Sequence, residues 1–128
     1  MEKEELNRLG GIILDSCIMV HRELGPGLLE SAYTCALAKE LQLRGINFRT
    51  QVPFDFQYKG SSLGKVYVLD VLVEEEIIIE IKSVDVINPI FEAQLLTYLK
   101  LCDKRLGYLI NFNVLLLKDG FKRLVNHI

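Results

Sequence analysis

The apolar positions divide the chain by their period. Over residues 4–24, Leu6, Leu9, Ile13, Cys17, Val20 and Leu24 recur three or four apart, which predicts a helix with one apolar stripe. Gly25-Pro26-Gly27 ends it, because proline removes a backbone donor and glycine permits the turn. A second helix is expected over residues 28–44, with Leu29, Tyr33, Ala36, Leu37 and Leu41 inward and Gly45 as terminator. The period then shortens. Residues 46–50 and 52–58 alternate apolar and polar, predicting two strands, the second with Val52, Phe54, Phe56 and Tyr58 on one side. Lys59-Gly60-Ser61-Ser62 is a turn cluster, and residues 63–73 read as a further strand.

Glu74-Glu75-Glu76 marks an exposed turn before a strand over residues 77–82. Its Ile77-Ile78-Ile79 run suits a sheet covered on both faces. Asn88-Pro89 opens a third helix over residues 91–101, with Leu95, Tyr98, Leu99 and Cys102 at helical spacing. A strand follows over 106–112, then Leu115-Leu116-Leu117 as the start or extension of an edge element. Lys118-Asp119-Gly120 is a turn and 121–125 a last short strand. The order α-α-β-β-β-β-α-β-β, with no repeat or linker, predicts one domain over residues 1–128. Its class is α/β or α+β, a central mixed sheet flanked by helices.

Composition narrows the class. The chain has 128 residues, half of them hydrophobic and a quarter charged, enough for a core that needs no disulfide or zinc. No apolar run approaches the roughly 18 residues of a membrane span. The charged start Met1-Glu2-Lys3-Glu4-Glu5 is not that of a signal peptide. Three separated cysteines without a CxxC pair suit a reducing, cytoplasmic setting. Fifteen basic against seventeen acidic residues give a formal charge of -2. That argues against coating nucleic acid by bulk charge, though not against holding one phosphate locally with metal ions.

The candidate chemistry lies in Leu69-Asp70-Val71-Leu72-Val73 and Ile77-Ile78-Ile79-Glu80-Ile81-Lys82. Asp70 interrupts an apolar strand. Glu80 and Lys82, two apart, face the same way. A hairpin centred on Glu75 places Asp70 opposite Glu80. Charged groups gathered on a sheet are costly unless paired or bound to metal. A hard cation such as Mg²⁺ takes carboxylate and carbonyl oxygens, which Asp70, Glu80 and the Ile81 carbonyl offer. Lys82 could then orient or deprotonate a water, or stabilise charge on a phosphate. The competing reading is a salt bridge from Lys82 to Asp70 or Glu80. Glu30, opening the second helix, is either placed there by the helix dipole or a third carboxylate of the site. Tyr33 lies one turn on, and Gln94 and Tyr98 share a face of the third helix. Tyr98 could be core and Gln94 a cap. Alternatively Gln94 could bind phosphate or hold the lysine.

Taken together these residues resemble a known family. Gly27-x-x-Glu30-x-x-Tyr33 resembles the signature of the GxxExxY family, placed in the PD-(D/E)xK nuclease-like superfamily. Asp70 with Glu80-Ile81-Lys82 matches that superfamily's acid and E-x-K positions, and Gln94-x-x-x-Tyr98 resembles its Q-x-x-x-Y element. His21 to Gly27, Tyr58-Lys59-Gly60 and Ile110-Asn111-Phe112-Asn113 are similar too; Leu69 stands where proline is usual. The resemblance implies a restriction-endonuclease-like core and Mg²⁺ or Mn²⁺ held by Asp70, Glu80, the Ile81 carbonyl and Glu30. Lys82 would be the catalytic lysine, with Gln94 and Tyr98 in support. It also implies a nucleic-acid substrate, DNA ahead of RNA, and a homodimer. His21 either has a structural role or lines the mouth of the site. Lys104-Arg105 and Lys122-Arg123 are candidate phosphate contacts. The competing function is an inactive interaction module that keeps the nuclease fold; a hydrolase of small phosphate esters is a third.

Overall fold

The computed structural model describes residues 1–64 and 67–127. Two helices lead the chain, α1 (Lys3–Leu24) and α2 (Glu30–Leu43). Five strands follow: β1 (Phe48–Phe54), β2 (Gln57–Tyr58), β3 (Ser61–Ser62), β4 (Tyr67–Val73) and β5 (Ile77–Lys82). Helix α3 (Pro89–Leu101) crosses to β6 (Leu106–Asn111); a 3-10 turn (Leu117–Gly120) leads to β7 (Phe121–Val125). The five-stranded sheet has the order β1-β4-β5-β6-β7, and β2 pairs only with β3. Strands β5 and β6 are parallel, and the other neighbours antiparallel, so the sheet is mixed as expected. A parallel pair needs a crossover, and α3 supplies it.

Burial on both sheet faces explains the Ile77-Ile78-Ile79 run. Ile77 and Ile79 pack with Leu6, Leu9, Ile13, Tyr33 and Leu37 beneath α1 and α2. Ile78 packs with Leu95, Leu99 and Leu109 beneath α3. Three solvent-free isoleucines in a row need this three-layer arrangement. Asn88 caps α3 by accepting the Ile90 N–H at 3.0 Å, with Pro89 at its first turn.

Several boundaries differ from expectation. Helix α2 starts at Glu30, because Leu29 is extended (φ -70°, ψ 152°). The two alternating segments over 46–58 form one paired strand, β1, and the short β2. Gln51, at the join, has φ 51°, yet the register against β4 is unbroken across it. Phe56 is half-buried and Tyr58 exposed, so the inward row expected over 52–58 stops at Phe54. Of the strand expected over 63–73, residues 67–73 are strand and residues 65 and 66 lie outside the described residues. Leu115-Leu116-Leu117 is no edge strand. Leu115 and Leu116 are exposed, and Leu117 enters the core at the start of the 3-10 turn.

Gly120 packs against the Asn111 backbone so closely that an added Cβ would collide with its carbonyl. Gly11, on the outside of α1, faces open space. Gly120→Ala should therefore lose about 1–3 kcal/mol in urea unfolding, whereas Gly11→Ala should gain up to about 1 kcal/mol from helix propensity. Equal midpoints for the two variants would contradict this packing.

Candidate active site

The β4–β5 hairpin pairs Val73 with Ile77, Leu72 with Ile78 and Val71 with Ile79. Continued one step, that register sets Asp70 opposite Glu80, as the count from Glu75 predicts. Here the ladder gives way to a side chain: Asp70 Oδ2 accepts the Ile81 N–H at 2.8 Å. A strand residue directs its N–H and C=O to the same edge. The Ile81 carbonyl therefore also faces β4 at this break, while its side chain is buried on the α1–α2 side. Asp70, Glu80 and Lys82 share the other face, toward α3.

Glu80 is 5% exposed, and its Oε1 is buried with no hydrogen-bond partner. Burial first, then hydrogen bonding to the Asp70 carboxylate and its negative charge, push the Glu80 carboxyl up to about 10; Lys82 opposes the shift. Lys82 is half-buried, with Nζ 4.5 Å from the centre of the Phe91 ring on α3. None of the ion pairs among the described residues includes Lys82, so the salt-bridge reading does not hold. Tyr98 is buried on α3. Burial first, and then the Glu80 carboxylate, raise its phenol above the usual range, with Tyr67 and Asp70 adding to the effect. Gln94, one turn earlier, lines a groove with Tyr98 and does not hold Lys82 in place; Phe91 does.

Glu30 belongs to a neighbouring arrangement. Its Oε2 accepts the Ser83 N–H at 3.4 Å, just beyond Lys82. Ser83 Oγ donates to the Leu28 carbonyl at 2.6 Å. The Tyr33 hydroxyl donates to the Gly25 carbonyl at 2.6 Å and accepts the Leu28 N–H at 3.1 Å. Its ring is fully buried and stacks on Phe112, 4.5 Å between centres. Gly27, at φ 95°, turns the loop in a conformation that side chains disfavour. The Gly27-x-x-Glu30-x-x-Tyr33 spacing is thus a clamp that ties the α1–α2 loop to the end of β5.

Among the described residues, no three His, Cys, Asp or Glu side chains group closely enough to hold a metal ion together. Glu30, whose Oε2 accepts the Ser83 N–H, does not form such a group with Asp70 and Glu80. What remains is oxygen only: two carboxylates and the Ile81 carbonyl, a set that suits a hard divalent cation. The orphaned Glu80 Oε1 fits that reading, since buried polar atoms ordinarily find a partner. His21 is buried elsewhere. Its Nε2 lies 2.7 Å from the Val114 carbonyl and anchors the segment after β6.

Asn111, noted in the sequence only as part of Ile110-Asn111-Phe112-Asn113, was assigned no role there. It is buried, accepts the Val84 and Asn113 N–H groups at 3.1 Å each, and donates to the Val84 carbonyl at 2.9 Å. It pins the chain leaving β5, and the signal was an asparagine closing an otherwise apolar strand. The basic pairs lie at other positions. Lys104 and Arg105 precede β6, at the sheet end opposite Lys82, and donate to the Glu75 and Met1 carbonyls. Lys122 pairs with Glu92 at 2.8 Å and Arg123 donates to Asn7 at 2.9 Å.

A mixed α/β sheet with an acid on one strand facing E-x-K on the next defines a nuclease-type site. A family model described as the PD-(D/E)XK nuclease superfamily matches residues 7–124, and the chain belongs to that superfamily. Its nucleases generally use divalent metals, and nucleic acid is the substrate class it suggests. No curated protein and no solved structure matches the chain at a significant level.

The Glu80 shift has a sign. Its carboxyl loses its proton near 4.5 in the unfolded chain and near 10 in the fold, so the folded state alone keeps the proton between those values. Without cations, this contribution to stability should be whole below about pH 4.5 and fall as pH rises toward about 10. Glu80→Gln should be more stable relative to wild type at pH 8 than at pH 5, read by urea unfolding in EDTA. A difference independent of pH would show that Glu80 is not held protonated.

Proposed function

We propose that this protein is a divalent-cation-dependent nuclease of the GxxExxY branch, folded as a single domain over residues 1–128, that hydrolyses a nucleic-acid phosphodiester, with DNA ahead of RNA. The observation that carries the proposal is the buried, partnerless Glu80 Oε1 beside the Asp70 carboxylate. Asp70, Glu80 and the Ile81 carbonyl would hold Mg²⁺ or Mn²⁺. When bound, the cation would neutralise the two carboxylates, polarise a phosphoryl oxygen and acidify a water.

The chain's own groups do the rest. Lys82, steadied by the Phe91 ring, keeps its ammonium donors off the carboxylates and free for the attacking water or the phosphate oxygens. Glu30 acts through the Ser83 amide, holding the end of β5 on which Glu80 and Lys82 are carried. Asn111 fixes the same segment from the β6 side. An inactive interaction module has one observation in its favour: the basic pairs Lys104-Arg105 and Lys122-Arg123 are spent on internal contacts.

Calorimetry with Mn²⁺ tests the site without a known substrate. Wild type should bind, whereas Asp70→Ala and the milder Asp70→Asn should bind at least about tenfold more weakly. Absence of binding in wild type would favour the interaction module. With Mn²⁺ and a mixed panel of DNA and RNA substrates, Lys82→Ala should cut about 100-fold or more slowly, with an unchanged melting temperature. Wild-type cleavage by Lys82→Ala would remove the lysine from the mechanism.

A further inference from the structure

Beside the carboxylates lies a groove of about 430 Å³ that the cleavage chemistry does not use. Phe56 and Tyr67 with Tyr98 of α3 give it an aromatic lining, to which α3 adds Ile90, Gln94 and Thr97. The aromatic rings form one cluster. Tyr67 lies 5.9 Å from Tyr98 and 6.1 Å from Phe56, and Phe54 backs both Tyr67 and Tyr98 at 6.0 and 5.2 Å. Buried packing accounts for Phe54 and Tyr98, but not for Tyr67, which is 44% exposed at the strand end. Helix α3 carries both Phe91, whose ring meets Lys82, and the groove's Gln94 and Tyr98, and β4 carries both Tyr67 and Asp70. The groove therefore adjoins the carboxylate site.

We infer that this groove receives an unstacked nucleobase of a single-stranded nucleic acid, stacked on Tyr67 beside the phosphate to be cut. The occupant follows from chemistry on both sides of Tyr98. On one side is a nuclease-type site; on the other is an aromatic-walled groove whose Gln94 amide can donate to and accept from a base edge. Aromatic rings bind any base through its π-face, and only unpaired bases can enter such a groove. A duplex keeps the faces of its bases stacked inside and offers only their edges and the phosphates. The mild negative charge of the chain fits as well, since stacking supplies affinity that a basic surface would otherwise provide. One site suffices for one strand, so this substrate makes no demand for a second copy.

The inference rests on the nuclease reading of Asp70, Glu80 and Lys82, and the test separates the two. The probe is a short single-stranded DNA carrying 2-aminopurine, titrated in EDTA so that nothing is cut, against its blunt duplex. Wild type and Tyr67→Phe should quench the fluorescence and bind the single strand more tightly than the duplex. Tyr67→Leu, which keeps apolar bulk but has no ring, should lose the quench and bind on the order of tenfold more weakly. Thr97→Trp, which fills the groove from α3, should do the same if Tyr67→Leu proves unstable. Equal binding of duplex and single strand, or a quench that survives both variants, would overturn the inference. Cleavage in Mn²⁺ is scored separately. Cutting without a quench sinks the base groove alone, and a Tyr67-dependent quench without cutting sinks the nuclease reading alone.

Discussion

The 2.8 Å hydrogen bond from the Ile81 N–H to the Asp70 carboxylate stands where the β4–β5 ladder would otherwise continue. An aspartate within a half-buried strand is disfavoured unless its charge is met. Here a strand amide meets it, and three consequences follow. The Ile81 amide is satisfied without a backbone partner, so the two strands need no regular ladder at this point. The Ile81 carbonyl is left facing the break. Glu80, opposite Asp70 in the register, is brought beside a fixed negative charge in a site that excludes water. Two adjacent carboxylates cannot both ionise there without a cation, and the more buried one, Glu80, keeps its proton.

Everything around that break holds the end of β5 in place. In open α/β sheets the crevice forms outside the carboxyl ends of parallel strands, and β5 with β6 is the only parallel pair among the described strands. From the α2 side, Glu30 and Leu28 engage Ser83, and Tyr33 holds the loop that presents them. From the β6 side, the Phe112 N–H bonds to the Lys82 carbonyl at 3.0 Å and Asn111 brackets Val84. Gly120 lies against Asn111 in turn, which ties the last strand to the same end. A single residue of β5 thus carries Glu80 or Lys82, but six residues outside it fix where they point.

Much of this was legible in the sequence because it depends on local counting. The β-branched run located Ile77–Lys82, period two put Glu80 and Lys82 on one face, symmetry about Glu75 gave the Asp70–Glu80 register, and Asn88-Pro89 gave the start of α3. The family motifs marked the same residues, and the superfamily match spans residues 7–124. What could not be read depends on contacts distant along the chain. Glu30 looks like a ligand from spacing alone, but Ser83, 53 residues on, claims its carboxylate. His21 looks free until Val114, 93 residues on, meets its ring. An acid was the competing partner for Lys82 because charge is visible in a sequence, whereas the face of Phe91 is not. Leu115 and Leu116 defeat the apolar-run rule, since a run of leucines does not say which of them turns inward.

The position of Lys82 sets the arrangement apart from a structural ion pair. A lysine seated on the two carboxylates would balance one of their charges, favour ionisation of Glu80, and fill the break in the ladder with its own ammonium. The fold does otherwise: it gives the ammonium an aromatic face 4.5 Å away and leaves Glu80 protonated with an unpartnered oxygen. That arrangement is poorer for stability, because a buried carboxyl oxygen without a partner costs about 1–3 kcal/mol that an ion pair would recover in part. It is better for phosphate chemistry. With the proton gone and a divalent cation among the ionised carboxylates, those charges and Lys82 sum to one net positive charge, which a phosphodiester balances. The Lys82 ammonium meets the Phe91 ring and forms no ion pair with either carboxylate among the described residues.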